Sequence, residues 1–420
     1  MTAEVVILNK NGIAMAADSA VSIGRRKVYN SANKLFALSR KQPIGIMIYG
    51  SAQFMGIPWE ALIKYFRKNI LKNSSYASVD EYAKEFIKFL STTKLIPSEN
   101  EEMHVIQTAL SCIMEFVGPI DNAIKDVIEQ NGKISVSMAK SLANSEIDAW
   151  LKRQKDRSVK RECTVAQAKY LKKTFEAKLK AFIAAHLTRL GTTQAFQTKI
   201  LAAILLKLSS TEPGSGRTGV VFAGFGTEDI YPFSIAYDIC GRFNGFLRSR
   251  KNREQKINGK LSASILPFAQ SEMVHTFMRG IDPSFFSAIN TKLEQIFEDV
   301  PKAILAKYGF VPTTKQEASM RDDYKKVFSA VTSELTKIQQ EKFISPVLDS
   351  VAALPIDELA AMAESLVSLT SFKRKVTMVP ESVGGPVDVA VITKGDGFIW
   401  IKRKHYFKPE LNPYYFQLDV

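Results

Sequence analysis

Cysteine and histidine are scarce in this chain of 420 residues. The three cysteines, Cys112, Cys163 and Cys240, are odd in number, far apart and without ligand spacing. That pattern excludes a disulfide framework and predicts a reducing, cytoplasmic compartment. The four histidines, His104, His186, His275 and His405, are scattered, so no metal site and no cofactor is predicted. No uninterrupted apolar run approaches the ~20 residues of a membrane-spanning helix. The start shows no basic segment followed by an apolar core and a cleavage site, so no signal peptide is expected. Charge of one sign is also short. There are 42 acidic residues against 57 basic ones, a net charge of +15. Such an excess permits an acidic partner, but no nucleic-acid motif accompanies it, so nucleic acid is not an expected partner.

Apolar residues are plentiful, at 46%, enough for a sizeable core. The first 50 residues hold the clearest pattern. Val5-Val6-Ile7-Leu8, a turn at Asn9-Lys10-Asn11-Gly12, and Ile13-Ala14-Met15-Ala16-Ala17 read as an antiparallel hairpin. Both runs are apolar throughout, which suits strands covered on both faces in a layered core. The second run stops at Asp18-Ser19. Lys34 follows in Asn33-Lys34-Leu35-Phe36, and a further run, Ile44 to Ile48, stops at Tyr49-Gly50-Ser51. Lone buried charges at strand ends are costly, so Asp18 and Lys34 are expected to pair or to do chemistry.

Thr2 stands out because methionine before a small residue is ordinarily trimmed. Trimming would leave a threonine that carries a nucleophilic hydroxyl and its own base, an α-amine titrating near ~8. A nearby lysine would lower the pKa of that amine by like-charge repulsion.

Thr2, then Ala16-Ala17-Asp18-Ser19, then Lys34, then Gly50-Ser51-Ala52 occur in an order and spacing that resembles the catalytic β subunit of the proteasome and its bacterial relatives, which are N-terminal nucleophile hydrolases. The resemblance implies an α+β fold, a four-layer αββα sandwich forming a single domain over 1–420. It implies Thr2 as nucleophile, Lys34 tuning its amine, Asp18 orienting Lys34, and the Gly50 amide donating to the oxyanion. Val21, Ala32, Phe36 and Ala52 would shape the substrate pocket, whose apolar or small residues favour an apolar side chain. It further implies a peptide or protein substrate, self-assembly into a homo-oligomer, and an ATP-driven unfoldase as a candidate partner. No membrane is implied. No propeptide is expected, since methionine removal suffices.

The family also supports its threonine with a serine between glycines after the middle strands, and with an aspartate and a serine before the last hairpin. Here those places read Phe268-Ala269-Gln270-Ser271-Glu272 and Pro380-Glu381-Ser382-Val383-Gly384-Gly385. Ser271 (or Gln270) and Ser382 (with Glu381) are the candidates.

Along the chain, helical periodicity begins at Trp59, with Leu62, Ile63, Phe66 and Ile70 on one face, and again at Ser78. Residues 95–210 read as helical, with a lysine- and arginine-rich stretch at 151–183. Thr211 to Thr218 is a cluster of breakers. Strands follow at 219–225, 230–239, 242–247 and 265–268, and a helix at 270–280. Residues 284–344 are helical and charged. Ser345 to Pro355 breaks the pattern, Ile356 to Phe372 is an amphipathic helix, and a hairpin turns at Gly395-Asp396-Gly397. The segments 95–210 and 284–344 exceed the family's pattern and read as helical insertions. Two other readings stay open. One is a catalytically inactive, structural subunit of the same type. The other is a protein that binds an acidic partner through the basic face of 151–183.

Overall fold

The computed structural model describes residues 2–23, 27–39, 41–187, 193–212, 214, 216–377 and 383–413. In chain order it opens with strands β1 (Ala3–Asn9), β2 (Gly12–Ala17), β3 (Val21–Ile23), β4 (Lys27–Tyr29), β5 (Leu35–Ala37) and β6 (Ile44–Gly50), then the two-residue strands β7 (Gln53–Phe54) and β8 (Ile57–Pro58). Six helices follow: α1 (Trp59–Tyr65), which runs on into a π-helical turn over Phe66–Leu71, α2 (Val79–Thr92), α3 (Ser98–Asn131), α4 (Val136–Asp156), α5 (Val165–Leu187) and α6 (Gln194–Ser209). Next come β9 (Thr218–Gly224), β10 (Phe233–Phe243), β11 (Phe246–Lys256) and β12 (Ala263–Ala269), then α7 (Glu272–Arg279), α8 (Pro283–Lys307), α9 (Thr314–Gln339), α10 (Ser345–Ala353) and α11 (Ile356–Val376). The last hairpin is β13 (Asp388–Thr393) and β14 (Gly397–Lys402). The chain is therefore an α+β protein.

Two five-stranded antiparallel sheets carry the fold. Their strand orders are β12-β1-β2-β13-β14 and β11-β10-β9-β6-β5. Successive side chains on a strand point to opposite faces, and β1 shows this plainly. Val6 and Leu8 join Met15, Met47, Val221 and Ala223 in a core shared by the two sheets. Val5 and Ile7 face the other way, against Leu359, Ala363 and Val367 of α11. The second sheet turns its other face to α1 and α2, where Ile46 and Phe222 meet Trp59, Phe66 and Phe86. Both faces of β1 and β2 are thus covered, which is why these strands are apolar at every turn.

The β1–β2 turn has a local cause. The Asn9 side-chain oxygen accepts from Asn11 N (2.9 Å) and Gly12 N (3.3 Å). Its amide nitrogen donates to the carbonyls of Val351 and Leu354 at the end of α10. Gly12 is needed because a Cβ there would stand 2.6 Å from the Ile392 carbonyl oxygen of the neighbouring strand.

Helices α3 to α6 build a further core of their own. Phe116, Trp150, Phe175, Leu179, Phe196 and Ile204 pack together, with Phe243 of β10 inserted among them. By length and composition α3 is long and apolar enough to cross a membrane. This corrects the expectation that no segment has that character, since Glu115 interrupts the run in the sequence. Its buried face, Val105, Cys112, Ile113 and Phe116, lies in this core. The lysines of α5 point away from Leu171, Phe175 and Leu179, and two of them pair with Glu176 along the helix.

Two expectations about elements are corrected. Residues 345–353 form helix α10 rather than a break, because α9 runs on through a π-helical turn over Gln340–Ile344 directly into it, and that wider turn just before Pro346 accommodates the missing N–H. The stretch 242–247 is not one strand. Asn244 (φ 43°) and Gly245 (φ 74°) form the turn between β10 and β11. β11 then continues through the charged run to Lys256, since it is an edge strand with solvent beside it.

Candidate active site

The alternation that fills the core also builds the site. Thr2 and Glu4 continue the face of β1 that carries Val6 and Leu8, so they look toward the second sheet at the open end of the shared core. Asp18 follows β2, and its N–H donates to the Ala3 carbonyl (3.1 Å). Lys34 precedes β5, and its carbonyl accepts the Ile48 N–H of β6 (2.9 Å). The first sheet therefore supplies Thr2, Glu4 and Asp18, and the second supplies Lys34.

All four side chains are withdrawn from water. Thr2 is 2% exposed, Glu4 0%, Asp18 1% and Lys34 4%. Lys34 Nζ donates to Asp18 Oδ1 at 2.5 Å and lies 3.8 Å from Glu4 Oε1. Asp18 is held on every side. Its Oδ1 also accepts from Ala3 N (3.1 Å), and its Oδ2 accepts from Ala20 N (3.2 Å) and Gly384 N (3.0 Å). The Thr2 hydroxyl donates to Glu4 Oε2 at 3.2 Å. Gln270 N donates to the Thr2 carbonyl (3.0 Å), which fixes the start of β1 against the end of β12.

One lysine faces two carboxylates here, so only one of them is balanced by charge. Asp18 has the shorter contact and the backbone donors. Glu4 is left with the burial cost, which pushes its carboxyl up to about 8. Lys34 opposes that rise and Asp18 adds to it. Near neutral pH Glu4 is therefore a protonated acid in contact with the Thr2 hydroxyl. Its Oε1 has no hydrogen-bond partner among the described residues. Glu4 was missed in the sequence. A single acidic residue at the start of the strand gave no sign of burial in the sequence, since every position of β1, odd and even, is buried.

The remaining predicted residues are placed as follows. Gly50 ends β6 with φ 90°, and a Cβ there would stand 2.6 Å from the Arg217 carbonyl oxygen, so the position admits only glycine. Ser271 is half-buried, one residue beyond Gln270, at the start of α7. Ser382 and Glu381 lie outside the described residues. Val383 and Gly384, which follow them, are buried beside α11 and against Asp18. Val21 and Ala32 are half-buried and Ala52 is exposed. Phe36 is buried in the core under α1. Among the described cavities, none is lined by these four together. Among the described residues, no group of three or more His, Cys, Asp or Glu is placed to hold a metal ion.

No family model matches the chain, and no curated protein matches it. Solved structures similar to it include an Anbu (Gly-1) mutant from Hyphomicrobium sp. strain MC1, at 7% identity over 100% of this chain and 94% of that one, with a TM-score of 0.30. The Anbu complex from Pseudomonas aeruginosa, described as a helical assembly, is similar at 9% identity over 99% and 92%, with a TM-score of 0.33. Anbu (ancestral beta-subunit) from Yersinia bercovieri is similar at 9% identity over 100% and 91%, with a TM-score of 0.27. These findings correct the family resemblance read from the sequence. No family model or curated relative places the chain among the N-terminal nucleophile hydrolases, and the likeness to Anbu structures is too distant to assign it.

Proposed function

We propose that this protein is an amide hydrolase of the threonine type, with Thr2 as nucleophile once the peptide bond before it has been cut. The observation that carries this reading is the buried group around the Thr2 hydroxyl: Glu4 on the hydroxyl at 3.2 Å, Lys34 at 3.8 Å from Glu4, and Asp18 at 2.5 Å from Lys34. A charged cluster with this burial is expensive to keep, and clusters of shifted titratable groups concentrate at functional sites.

In this mechanism the freed Thr2 amine takes the hydroxyl proton, directly or through a water. The hydroxyl oxygen forms a bond to the amide carbonyl carbon. The Gly50 N–H donates to the oxyanion, a contact worth roughly 3 kcal/mol. The C–N bond then breaks as the leaving amine receives the proton, and a water hydrolyses the resulting ester to free Thr2. Lys34 keeps the amine's pKa down by like-charge repulsion, and Asp18 holds Lys34 in place. Peptides are the proposed substrates, and no cofactor takes part.

The same reading treats the order of helix, sheet, sheet and helix as a four-layer αββα sandwich. The segments 95–210 and 284–344 are then insertions into one domain.

The test combines mass analysis of the N-terminus with turnover of a peptide amide. Active protein is expected to begin at Thr2. Thr2→Ala should lower kcat by at least a factor of about 1,000, while Thr2→Ser keeps measurable turnover. Full activity in protein that still carries the preceding residue, or in Thr2→Ala, refutes the proposal.

A further inference from the structure

Beside the strand end that carries Gly50 lies a cavity of about 540 Å³. It is walled by the turn after β6, one face of α3, the end of α6 and the ends of β9 to β11. Ser51, the residue after Gly50, lines it together with Gln53, His104, Lys207, Cys240 and Arg248. Among the described residues, no aspartate or glutamate lines it.

Arg248 is the unusual member. It is 1% exposed. Its Nε donates to the Ser210 carbonyl (3.1 Å) and its Nη2 to the Glu212 carbonyl (3.2 Å). Among the described residues no carboxylate pairs with it. By contrast, its neighbours are balanced: Lys207 pairs with Glu115, Arg250 with Glu212, and Arg217 with Asp238. Burial of a guanidinium without a counter-charge is strongly unfavourable, and two carbonyl dipoles offset it only in part. A second polar group in the same wall is also unsatisfied. The His104 ring packs flat on Gly241, and its Nε2 is buried without a hydrogen-bond partner. Burial holds this imidazole well below its ordinary range, so it is neutral and able to donate one hydrogen bond. An unpaired guanidinium and an idle imidazole nitrogen in the wall of one cavity of small-ligand size are each complementary to a carboxylate.

We propose that this cavity is a carboxylate-binding subsite of the hydrolase site, taking an acidic side chain or a chain-terminal carboxylate of the substrate on Arg248. The link to substrate rests on the Thr2 reading, because Ser51 joins the cavity to Gly50. The anion site itself rests on Arg248 and His104 alone. A substrate whose scissile carbonyl lies at Gly50 would then reach the cavity with a group close by in its chain.

Cys240 provides a direct readout. It lines the cavity and is half-exposed, whereas Cys112 and Cys163 are buried. In the full-length protein, the rate of Cys240 alkylation by iodoacetate is compared with that by iodoacetamide, and the same ratio is measured in the urea-unfolded chain. Attraction to Arg248 should raise the folded ratio about ten-fold over the unfolded one, and glutarate should slow both reagents. Arg248→Met should remove both effects. Should that variant fail to fold, the wild-type comparison decides: equal ratios in the two states and no protection by glutarate overturn the anion site.

Turnover gives the second arm. A peptide with an acidic side chain and an amidated end, and one with apolar side chains and a free carboxylate, are compared with a neutral control. A lower KM for one of them identifies the source of the carboxylate, and equal KM for all three overturns the link to substrate. The two readings fail separately. Protection by glutarate without any Thr2-dependent hydrolysis leaves the anion site and removes the hydrolase, and the reverse result removes this subsite alone.

Discussion

Glu4→Gln should make the protein more stable, and the gain should grow with pH. The carboxyl of Glu4 is shifted from an ordinary 4.5 to about 8, first by burial and then by the charge of Asp18. Between those two values the unfolded chain has released the proton while the folded chain still holds it. Stability therefore falls as pH rises through this window, by about 1.4 kcal/mol per pH unit. Above 8 the folded form is ionised too, and the loss levels off about 5 kcal/mol below its acid value. Glutamine has the same shape, keeps an acceptor for the Thr2 hydroxyl and never titrates. It also leaves Lys34 and Asp18 as a balanced pair at 2.5 Å. The attraction of Lys34 for an ionised Glu4, at 3.8 Å, is forfeited, so the measured gain should fall somewhat short of the full figure. Groups elsewhere, such as the neutral His104, titrate alike in both proteins and cancel in the difference. The assay is urea unfolding of both proteins at several pH values from about 5 to about 9. The two stabilities should converge near the acid end and separate steadily until about 8. A difference that stays constant or narrows as pH rises would refute a protonated Glu4, and with it the account of one lysine shared by two carboxylates.

Two further substitutions probe the same end of the core. Lys34→Met strands the Asp18 carboxylate without a cation and leaves Glu4 protonated, and removing one partner of a buried pair costs about 3–5 kcal/mol. The three backbone N–H donors on Asp18 place the expected loss at the lower end of that range. Turnover should also vanish, so a melting temperature and a rate both near wild type would exclude Lys34 from the site. Gly50→Ala forces a side chain into a left-handed backbone and against the Arg217 carbonyl. It should cost about 1–3 kcal/mol of stability, and kcat should fall by up to about 100-fold with a smaller change in KM. An unchanged kcat would remove Gly50 as an oxyanion donor.

How much of this was legible beforehand depended on whether a residue's meaning was local. The β1–β2 hairpin was legible because strands covered on both faces must be apolar at consecutive positions, and because Asn9 and Gly12 close the turn by themselves. Asp18 and Lys34 were legible as charges standing where apolar runs stop. Glu4 was not, although it touches the Thr2 hydroxyl. One acidic residue near the start of a strand reads as a solvated end unless the partner strands are known. Pairing with Phe268 on one side and Ala17 on the other is what buries it. Arg248 is the harder case. It sits in a run with Arg250, Lys251 and Arg253, three residues that are exposed on an edge strand. In composition the four are alike. Only the pairing of Arg248 with Gly241, next to the irregularity between Ile239 and Gly241, tucks this one side chain beneath the Ser210 carbonyl. Both residues owe their chemistry to contacts between segments far apart in the chain, and in both cases an ionisable group is buried with too few partners. Such groups carry an energetic cost that packing alone does not explain, which is why Glu4 and Arg248, rather than the better-paired Asp18, are where substitution should separate function from stability.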